Sequence, residues 1–158
     1  AERLFKESLA IKREIGNRKG EANSQNNLAN IAKTRGDLEE AERLHKESLA
    51  IKREIGNREG EASSLIDIGV ITATRGDLVE ADRLFKESLA IAREIGNREG
   101  ESNSLNNLGT NALDRGDLEE AERLYKESLK LRLEIGIPVL DWYIEKGFTD
   151  PNEPWDMS

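Results

Sequence analysis

The sequence predicts an all-α solenoid, a stack of antiparallel helix hairpins, from three observations. A segment that begins Ala-Glu-Arg-Leu at Ala1 returns at Ala41, Ala81 and Ala121, with Asp for Glu in the third copy, which is a spacing of 40 residues. Within each unit, apolar and small residues recur at helical three- and four-residue intervals. Two glycine-containing turns divide each unit into two segments. Units this similar are expected to stack linearly, each contacting mainly its neighbours.

The second helix of a unit is predicted from Leu38 to about Ile55. It follows the turn Gly36-Asp37, where the glycine can end one helix and the aspartate can cap the next, with Glu40 at capping-box spacing. Its polar face carries acid-before-base pairs four residues apart, which stabilise an exposed helix slightly. These pairs are Glu2–Lys6, Glu42–Lys46, Asp82–Lys86 and Glu122–Lys126.

The first helix of a unit is predicted over roughly Gly60 to Thr74. Asn57 precedes it, in the turn Ile-Gly-Asn, and is placed to cap it. A small residue recurs at one register as Ala29, Gly69 and Gly109. Because glycine lowers helix propensity by about 1 kcal/mol relative to alanine, its recurrence suggests a close helix crossing.

The repeat pattern divides the chain into an array and two C-terminal segments. The array covers residues 1–136 and comprises an orphan second helix over 1–16 and hairpins over 18–56, 58–96 and 98–136. Pro138 and Gly147 bracket an apolar stretch, which predicts a capping helix over 137–148. Residues 149–158 contain two prolines, several acids and Trp155, and are predicted to form an extended acidic tail.

Composition argues against several classes of function. The net charge is −8, the wrong sign for a surface that binds nucleic acid. No stretch is apolar enough to cross a membrane. The absence of cysteine fits a reducing compartment, so a cytoplasmic location is expected. We therefore expect neither nucleic acid nor a membrane as a partner.

Residues capable of catalysis or cofactor binding do not form a recognisable site. There is no phosphate-binding glycine loop and no nucleophile–base pair, and the carboxylates recur with the repeat as surface charge does. His45, the only histidine, aligns with Phe5, Phe85 and Tyr125, so it is predicted to be a semi-buried structural residue. The sequence predicts a protein that is not an enzyme and needs no cofactor or metal.

The repeat resembles the tetratricopeptide repeat. The resemblance rests on Leu108-Gly109, Gly116-Asp117, Ala121, Tyr125 and Ser128-Leu129, and it recurs in register through about residues 1–136. Two features depart from the family pattern. The unit is 40 residues long rather than about 34, as in the kinesin light chain and G-protein-modulator branches, and Arg53 and Arg93 stand where the family has a terminal proline. The resemblance implies a right-handed superhelix.

The resemblance also implies that the first helices line a concave groove. The positions that would face it form the predicted peptide-binding site: Asn23, Asn26, Asn27, Asn30, Lys33, Ser63, Ile66, Asp67, Val70, Asn103, Asn106, Asn107 and Thr110. Seven of them are asparagine, a poor helix former whose amide both donates and accepts hydrogen bonds. Such a ladder can bind the backbone of a peptide, and the resemblance implies this role for the asparagines at the register of Asn27 and Asn107. The alternative is that asparagine accumulated at these positions by drift because they are solvated.

Other groove positions refine the predicted ligand. Ile66 and Val70 are apolar on a surface expected to face solvent, and they are either an anchor for one apolar ligand side chain or simple variation. The family's carboxylate clamp needs clustered bases, and only Lys33 is available, so an acidic C-terminal ligand is not expected. Asn111 stands where Ile31 and Ile71 pack inward, and it should be partly buried and need a partner.

The sequence therefore predicts a protein-interaction scaffold that binds a peptide or partner segment in the groove. Two alternatives stay open. The chain is instead a self-assembling structural module, a homo-oligomer formed through the exposed N-terminal helix or the Trp155 tail, or it is the regulatory module of a larger enzyme or signalling protein. The tail itself is either a linker or a ligand for the groove.

Overall fold

The computed structural model describes residues 1–136, which form seven α-helices and no strand. The predicted capping helix over 137–148 and the tail over 149–158 lie outside the described residues. The helices are α1 (Glu2–Glu14), α2 (Arg18–Thr34), α3 (Leu38–Glu54), α4 (Arg58–Thr74), α5 (Leu78–Glu94), α6 (Arg98–Asp114) and α7 (Leu118–Glu134). The all-α fold class predicted from the sequence is confirmed.

The residues predicted to cap the helices do so. The Asn57 Oδ1 accepts a hydrogen bond of 3.0 Å from the Gly60 amide, so α4 starts at Arg58, two residues earlier than the sequence suggested. Asp37 Oδ1 accepts one of 3.1 Å from the Glu40 amide at the start of α3. The capping box is only half formed, because the Glu40 carboxylate pairs with Arg43.

The turn after each first helix is closed by a left-handed glycine. Gly36 has φ +80°, and its amide donates to the carbonyl of Lys33, while the amide of Asp37 donates to Ala32, each at 2.9 Å. This pair of hydrogen bonds is the Schellman motif, which satisfies carbonyls that the end of a helix otherwise leaves without donors. The short turn makes α2 and α3 antiparallel neighbours.

Each helix packs against the next one along the chain, and α4 also approaches α6 directly. No two of the second helices, α1, α3, α5 and α7, approach each other in this way within residues 1–136. A stack whose first helices come closer together than its second helices curves around the first helices. Helices α2, α4 and α6 therefore form the inner face, with a wider seam between α2 and α4 than between α4 and α6.

The small residues of the first helices lie under rings of the second helices. A Cβ atom built on Gly69 would fall 2.6 Å from Phe85 Cε1, and one on Gly109 would fall 2.8 Å from the Tyr125 ring. This proximity confirms the close helix crossing expected from the recurring small residue. Phe85 and Tyr125 are both buried in the core cluster shared by α5, α6 and α7.

Ion pairs link neighbouring hairpins on the outside of the stack. Buried Glu61 accepts hydrogen bonds from Arg53 (2.9 Å) and Arg58 (2.7 Å), and Arg53 also binds Glu87 at 2.7 Å. Arg53 thus joins three successive helices, α3, α4 and α5, from the place where the family has proline. The same arrangement recurs at Arg13–Glu21–Arg18 and Arg93–Glu101–Arg98.

The predicted acid–base pairs along the second helices are present. Glu42 and Lys46 lie 2.5 Å apart, as Asp82 and Lys86 do at 2.6 Å. Glu42 also pairs with Arg75 at the end of α4, a contact that the sequence did not predict. The pair therefore connects two hairpins as well as two turns of one helix.

Candidate functional site

The thirteen residues of the predicted groove lie on α2, α4 and α6, and all of them keep access to solvent. Those on α2 are the more exposed, with only Asn26 half-buried, whereas those on α6 are all half-buried. The difference follows from the fold, since α6 is approached by α4 and α2 is not. The inner face is thus more open at its N-terminal side.

A cavity of about 210 Å³ lies on this face in the seam between α4 and α6. Its buried floor includes the Phe85 ring, and Val70 and Ala73 form an apolar wall that packs against the core. Asn107 and Thr110 stand at its partly exposed rim. Together these residues make a pocket with apolar walls and a polar rim, the usual form of a site for one side chain.

The predicted apolar anchor is only partly reproduced by this cavity. Val70 lines it, but Ile66, one turn earlier on α4, is not among the lining residues. Asn111 does line it and was not assigned to the binding site from the sequence. The signal for Asn111 was present, since it is a polar residue at the register of Ile31 and Ile71.

Asn111 is more deeply buried than the sequence suggested, with 2% of its surface exposed. Its Nδ2 donates to the carbonyl oxygen of Leu78 at 2.8 Å, which supplies the expected partner. Its Oδ1 is buried without any hydrogen-bond partner. The wall of the cavity therefore includes a side chain with one acceptor left unsatisfied, which costs free energy in an otherwise packed interior.

Several asparagines of the predicted ladder already make hydrogen bonds within the chain. Asn107 Nδ2 donates to the carbonyl of Asn103 at 2.9 Å, and the Asn103 Oδ1 accepts from Arg132 at 3.1 Å. Asn26 Oδ1 accepts from His45. Asn27, by contrast, is exposed, so the two asparagines singled out by the family register differ in their surroundings.

His45 lies in the other seam, between α2 and α4, and is fully buried rather than semi-buried. Its Nδ1 is 3.1 Å from Asn26 Oδ1, an acceptor, so Nδ1 carries the proton. Burial lowers the pKa of His45; the Asp67 carboxylate, 3.8 Å away, opposes this, and the charges of Lys52 and Lys33 reinforce it. The neutral ring fills the place that Phe85 takes in the next hairpin, which agrees with a structural role.

A larger cavity is on the opposite side of the stack. It has a volume of about 740 Å³ and lies between α3 and α5, with smaller equivalents of about 240 and 360 Å³ in the neighbouring units. Its rim charges pair with one another, as Arg53 does with Glu87 and Arg83 with Glu80. Because the charged side chains of this cleft already pair with one another, they are less available to a ligand than the residues of the α4–α6 cavity are.

Neither a metal site nor a membrane span is found in the part of the chain that the structure describes. No group of three histidine, cysteine, aspartate or glutamate side chains in residues 1–136 is arranged to hold a metal ion. None of the seven helices combines the length and the apolar character that crossing a bilayer requires.

Comparison with known proteins gives the family. The family model for the tetratricopeptide repeat matches residues 1–54 and 57–134. The chain belongs to the tetratricopeptide repeat family. Repeats of this family are in general protein–protein interaction modules. No sequence among curated proteins matches the chain.

Solved structures share the fold of this tetratricopeptide repeat chain at low sequence identity. BtubC (BKLC) from P. vanneervenii matches with a TM-score of 0.76 and 23% identity, over 99% of this chain and 61% of its own length. The TPR domain of Arabidopsis FLU matches with a TM-score of 0.69 and 21% identity, over 75% of this chain and 98% of its own. A Podosopora anserina putative kinesin light chain with nearly identical TPR-like repeats matches with a TM-score of 0.67 and 20% identity, over 85% of this chain and 66% of its own.

Proposed function

We propose that this chain is a scaffold that binds an extended or helical segment of a partner protein on the inner face formed by α2, α4 and α6. The observation that carries the proposal is the α4–α6 cavity, whose volume of about 210 Å³ suits one large side chain. Val70, Ala73 and Phe85 supply apolar contact there, and burying an apolar side chain against them is favourable by about 25 cal/mol for each Å² removed from water.

The asparagines hold the backbone of the ligand in this proposal. An amide can donate to a peptide carbonyl and accept from a peptide amide, so it recognises a backbone without selecting among side chains. Asn27 is exposed on α2, and Asn107 stands at the rim of the cavity with its Oδ1 available as an acceptor. The ligand would therefore run across the first helices, with one side chain inserted between α4 and α6.

A selection from a phage-displayed library of random 12-residue peptides tests this function. Peptides selected on the unmodified chain should lose binding to a Val70→Arg variant, because a guanidinium would occupy the cavity. Val79→Arg is the matched control, since Val79 is 78% exposed on α5 and away from the cavity. If the two variants bind the selected peptides equally well, the inner-face site is wrong.

The amide ladder has its own test with the same peptides. Asn27→Ala combined with Asn107→Ala should weaken their binding by about tenfold, the effect of losing one or two hydrogen bonds. The helicity measured by circular dichroism should stay nearly unchanged, because neither side chain caps a helix or fills the core. Unaltered affinity in this double variant would remove the ladder from the proposal.

Self-assembly is a second candidate, favoured by the exposure of α1. Leu4 is 65% exposed, whereas its counterpart Leu44 in the next unit is 7% exposed because α2 covers it. An apolar helix face open to water can pack against another copy of the chain. Light-scattering mass over a concentration series separates the two cases: a Leu4→Arg variant should abolish a concentration-dependent dimer, and a constant monomer mass rejects self-assembly.

A further inference from the structure

An exposed carboxylate, that of Asp114, stands at the rim of the α4–α6 cavity, which it lines together with Thr74. The two other first helices end with threonine at this register, and the hydroxyls of Thr34 and Thr74 donate to the backbone carbonyls four residues earlier, at 2.9 and 2.8 Å. A carboxylate cannot donate in this way. It also places a negative charge in the last turn of α6, where the free carbonyls of a helix are negative too. Asp114 therefore does not stabilise the helix on which it stands.

The Asp114 carboxylate has no cationic partner among residues 1–136. The adjacent Arg115 reaches back to Asp82 on α5 at 2.9 Å instead. Arg75, at the matching position of α4, pairs with Glu42. An exposed, unpaired carboxylate beside an apolar cavity is available to a cation that a ligand supplies.

The charges of the inner face change sign from α2 to α6. The position four residues before the first site residue of each helix is exposed, and it holds a base in α2 and acids in α4 and α6: Lys19, Glu59 and Glu99. Lys33 is a second base on α2, while Asp67 and Asp114 are second acids on α4 and α6. These positions make the inner face basic at α2 and acidic at α4 and α6, so a ligand that crosses it meets charges of opposite sign at its two ends.

We infer that the bound segment carries a lysine or arginine beside the apolar side chain that enters the cavity, and that this base pairs with Asp114. The inference rests on the proposed function and adds the charge of the ligand at the same site. The apolar side chain packs on Val70, Ala73 and Phe85. The base stays at the rim, where its charge keeps contact with water and needs no burial. The same charges orient the segment, because its basic part is favoured over α4 and α6 and its acidic residues over α2.

These charges also disfavour one ligand that the sequence left open, the tail of the chain itself. Residues 149–158 contain three acids and no base. If Trp155 entered the cavity, Asp156 would come close to Asp114, and like charges that face each other across an interface weaken binding. We therefore expect that the tail is not the ligand of this cavity, although a tryptophan ring would suit its apolar walls.

A charge exchange at position 114 tests the inference with the random 12-residue library. Peptides that need Val70 and are selected on the unmodified chain should share a lysine or arginine within four positions of a common apolar residue. Those selected on Asp114→Lys should share an acid there instead. Glu39→Lys is the matched control, because it makes the same change in net charge at an exposed position of α3. It should select the same basic peptides as the unmodified chain.

Synthetic versions of one selected peptide make the comparison quantitative. Replacing its base by glutamate should weaken binding to the unmodified chain by about threefold to tenfold at low ionic strength, as expected for an exposed ion pair whose charge is reversed. The same replacement should strengthen binding to Asp114→Lys. Asp114→Thr restores the residue found at Thr34 and Thr74, so it is expected to fold, and it should bind the two peptides with more similar affinities.

Three results overturn the inference and leave the proposed function standing. The first is a preference for a base that is the same on Asp114→Lys as on the unmodified chain. The second is a Val70-dependent pool with no common charge, and the third is Val70-dependent binding of a synthetic peptide with the sequence of residues 149–158. A pool in which no peptide depends on Val70 overturns both the inference and the proposed function.

Discussion

Matched residue pairs set the distance between the two helices of each hairpin. Gly69 lies under Phe85, and Gly109 under Tyr125, while the first complete hairpin has Ala29 at the glycine register opposite the smaller ring of His45. The ring is larger where its neighbour is smaller, so the combined volume at the crossing stays similar. The pairs act as spacers because cores are packed at nearly crystalline density.

Gly69→Ala is therefore expected to destabilise the chain although alanine is the better helix former. The new Cβ would lie 2.6 Å from Phe85 Cε1, and such overpacking costs about 1–3 kcal/mol, against a gain in helix propensity of about 1 kcal/mol. We expect a net loss of up to about 2 kcal/mol in urea unfolding. The loss of stability caused by Gly69→Ala should be smaller in a chain that already carries Phe85→His, because the two substitutions together reproduce the pair Ala29–His45. Losses that simply add would contradict the role of these pairs as spacers.

A single residue, the buried His45, makes the free energy of unfolding depend on pH. Its pKa is lowered from 6.5, chiefly by burial, while Asp67 favours the charged form and Lys52 and Lys33 oppose it. The unfolded chain therefore takes up a proton near pH 6.5 that the folded chain does not. The free energy of unfolding therefore decreases as the pH falls from 6.5 toward the pKa of His45 in the folded chain. The decrease is at most about 1.4 kcal/mol for each pH unit.

Unfolding by urea at pH 7.5, 6.5 and 5.5 measures this loss. We expect the midpoint to fall between pH 6.5 and 5.5 in the unmodified chain. The double variant Ala29→Gly with His45→Phe installs the pair found at Gly69 and Phe85, and its midpoint should be flat over this range. The carboxylates with lowered pKa values lose their charge only below pH 4.5, outside this window. A flat midpoint in both proteins would show that His45 is not protonated on unfolding.

At the scale of the elements, clamps of two arginines and a glutamate fix how one hairpin meets the next. Arg53 lies in the last turn of α3, and it binds Glu61 on α4 and Glu87 on α5. Burial alone would raise the pKa of Glu61, but hydrogen bonds from Arg53 and Arg58 outweigh it and lower the pKa below 4.5. Glu61 is thus charged in the fold at neutral pH, and its stabilising contribution is lost as the pH falls below 4.5.

Neutralising the Glu61 carboxylate should weaken the contact between neighbouring hairpins. Glu61→Gln is expected to destabilise the chain by about 1–3 kcal/mol at pH 7, because it leaves two arginines with a weaker acceptor in a buried position. Glu59→Gln is the control, since Glu59 is exposed in the same helical turn and its charge is solvated. Equal unfolding midpoints for the two variants would mean that the clamp adds nothing to stability.

At the scale of the whole molecule, the stack is held by contacts between neighbours, so its stability varies along its length. Within residues 1–136, helix α1 packs mainly on α2, whereas α3 packs on both α2 and α4. Ile11 of α1 is exposed where its counterpart Ile51 is buried. In a linear array, elements with fewer neighbours open more often without disturbing the others.

Amide hydrogen exchange should reveal this gradient. We expect the amides of α1 to exchange at least about tenfold faster than those of α3 at pH 7, since the two helices have almost the same sequence and differ in what covers them. The near-identity of the two helices makes α3 an internal control for intrinsic exchange rates. Equal protection of α1 and α3 would mean that the stack unfolds as one unit or that another surface covers α1.

The helices, their caps, the glycine turns and the small residues at the crossings could all be predicted from the amino-acid sequence. These features depend on residues close together in the chain and on a repeat that shows each of them several times. Asn57 and Gly36 could be assigned because a cap or a left-handed turn restricts residue type locally. Family membership followed from the same regularity.

The position of the cavity on the inner face, and the polar groups that line it, depend on how the helices pack against one another. The partner of Asn111 is a backbone carbonyl 33 residues away, and Arg53 reaches Glu87, 34 residues away. Such contacts depend on the distance between helices of different hairpins, which is set by packing volume rather than by any periodicity in the chain. For that reason the seam between α4 and α6, unlike the helices that form it, could not be read from the residues alone.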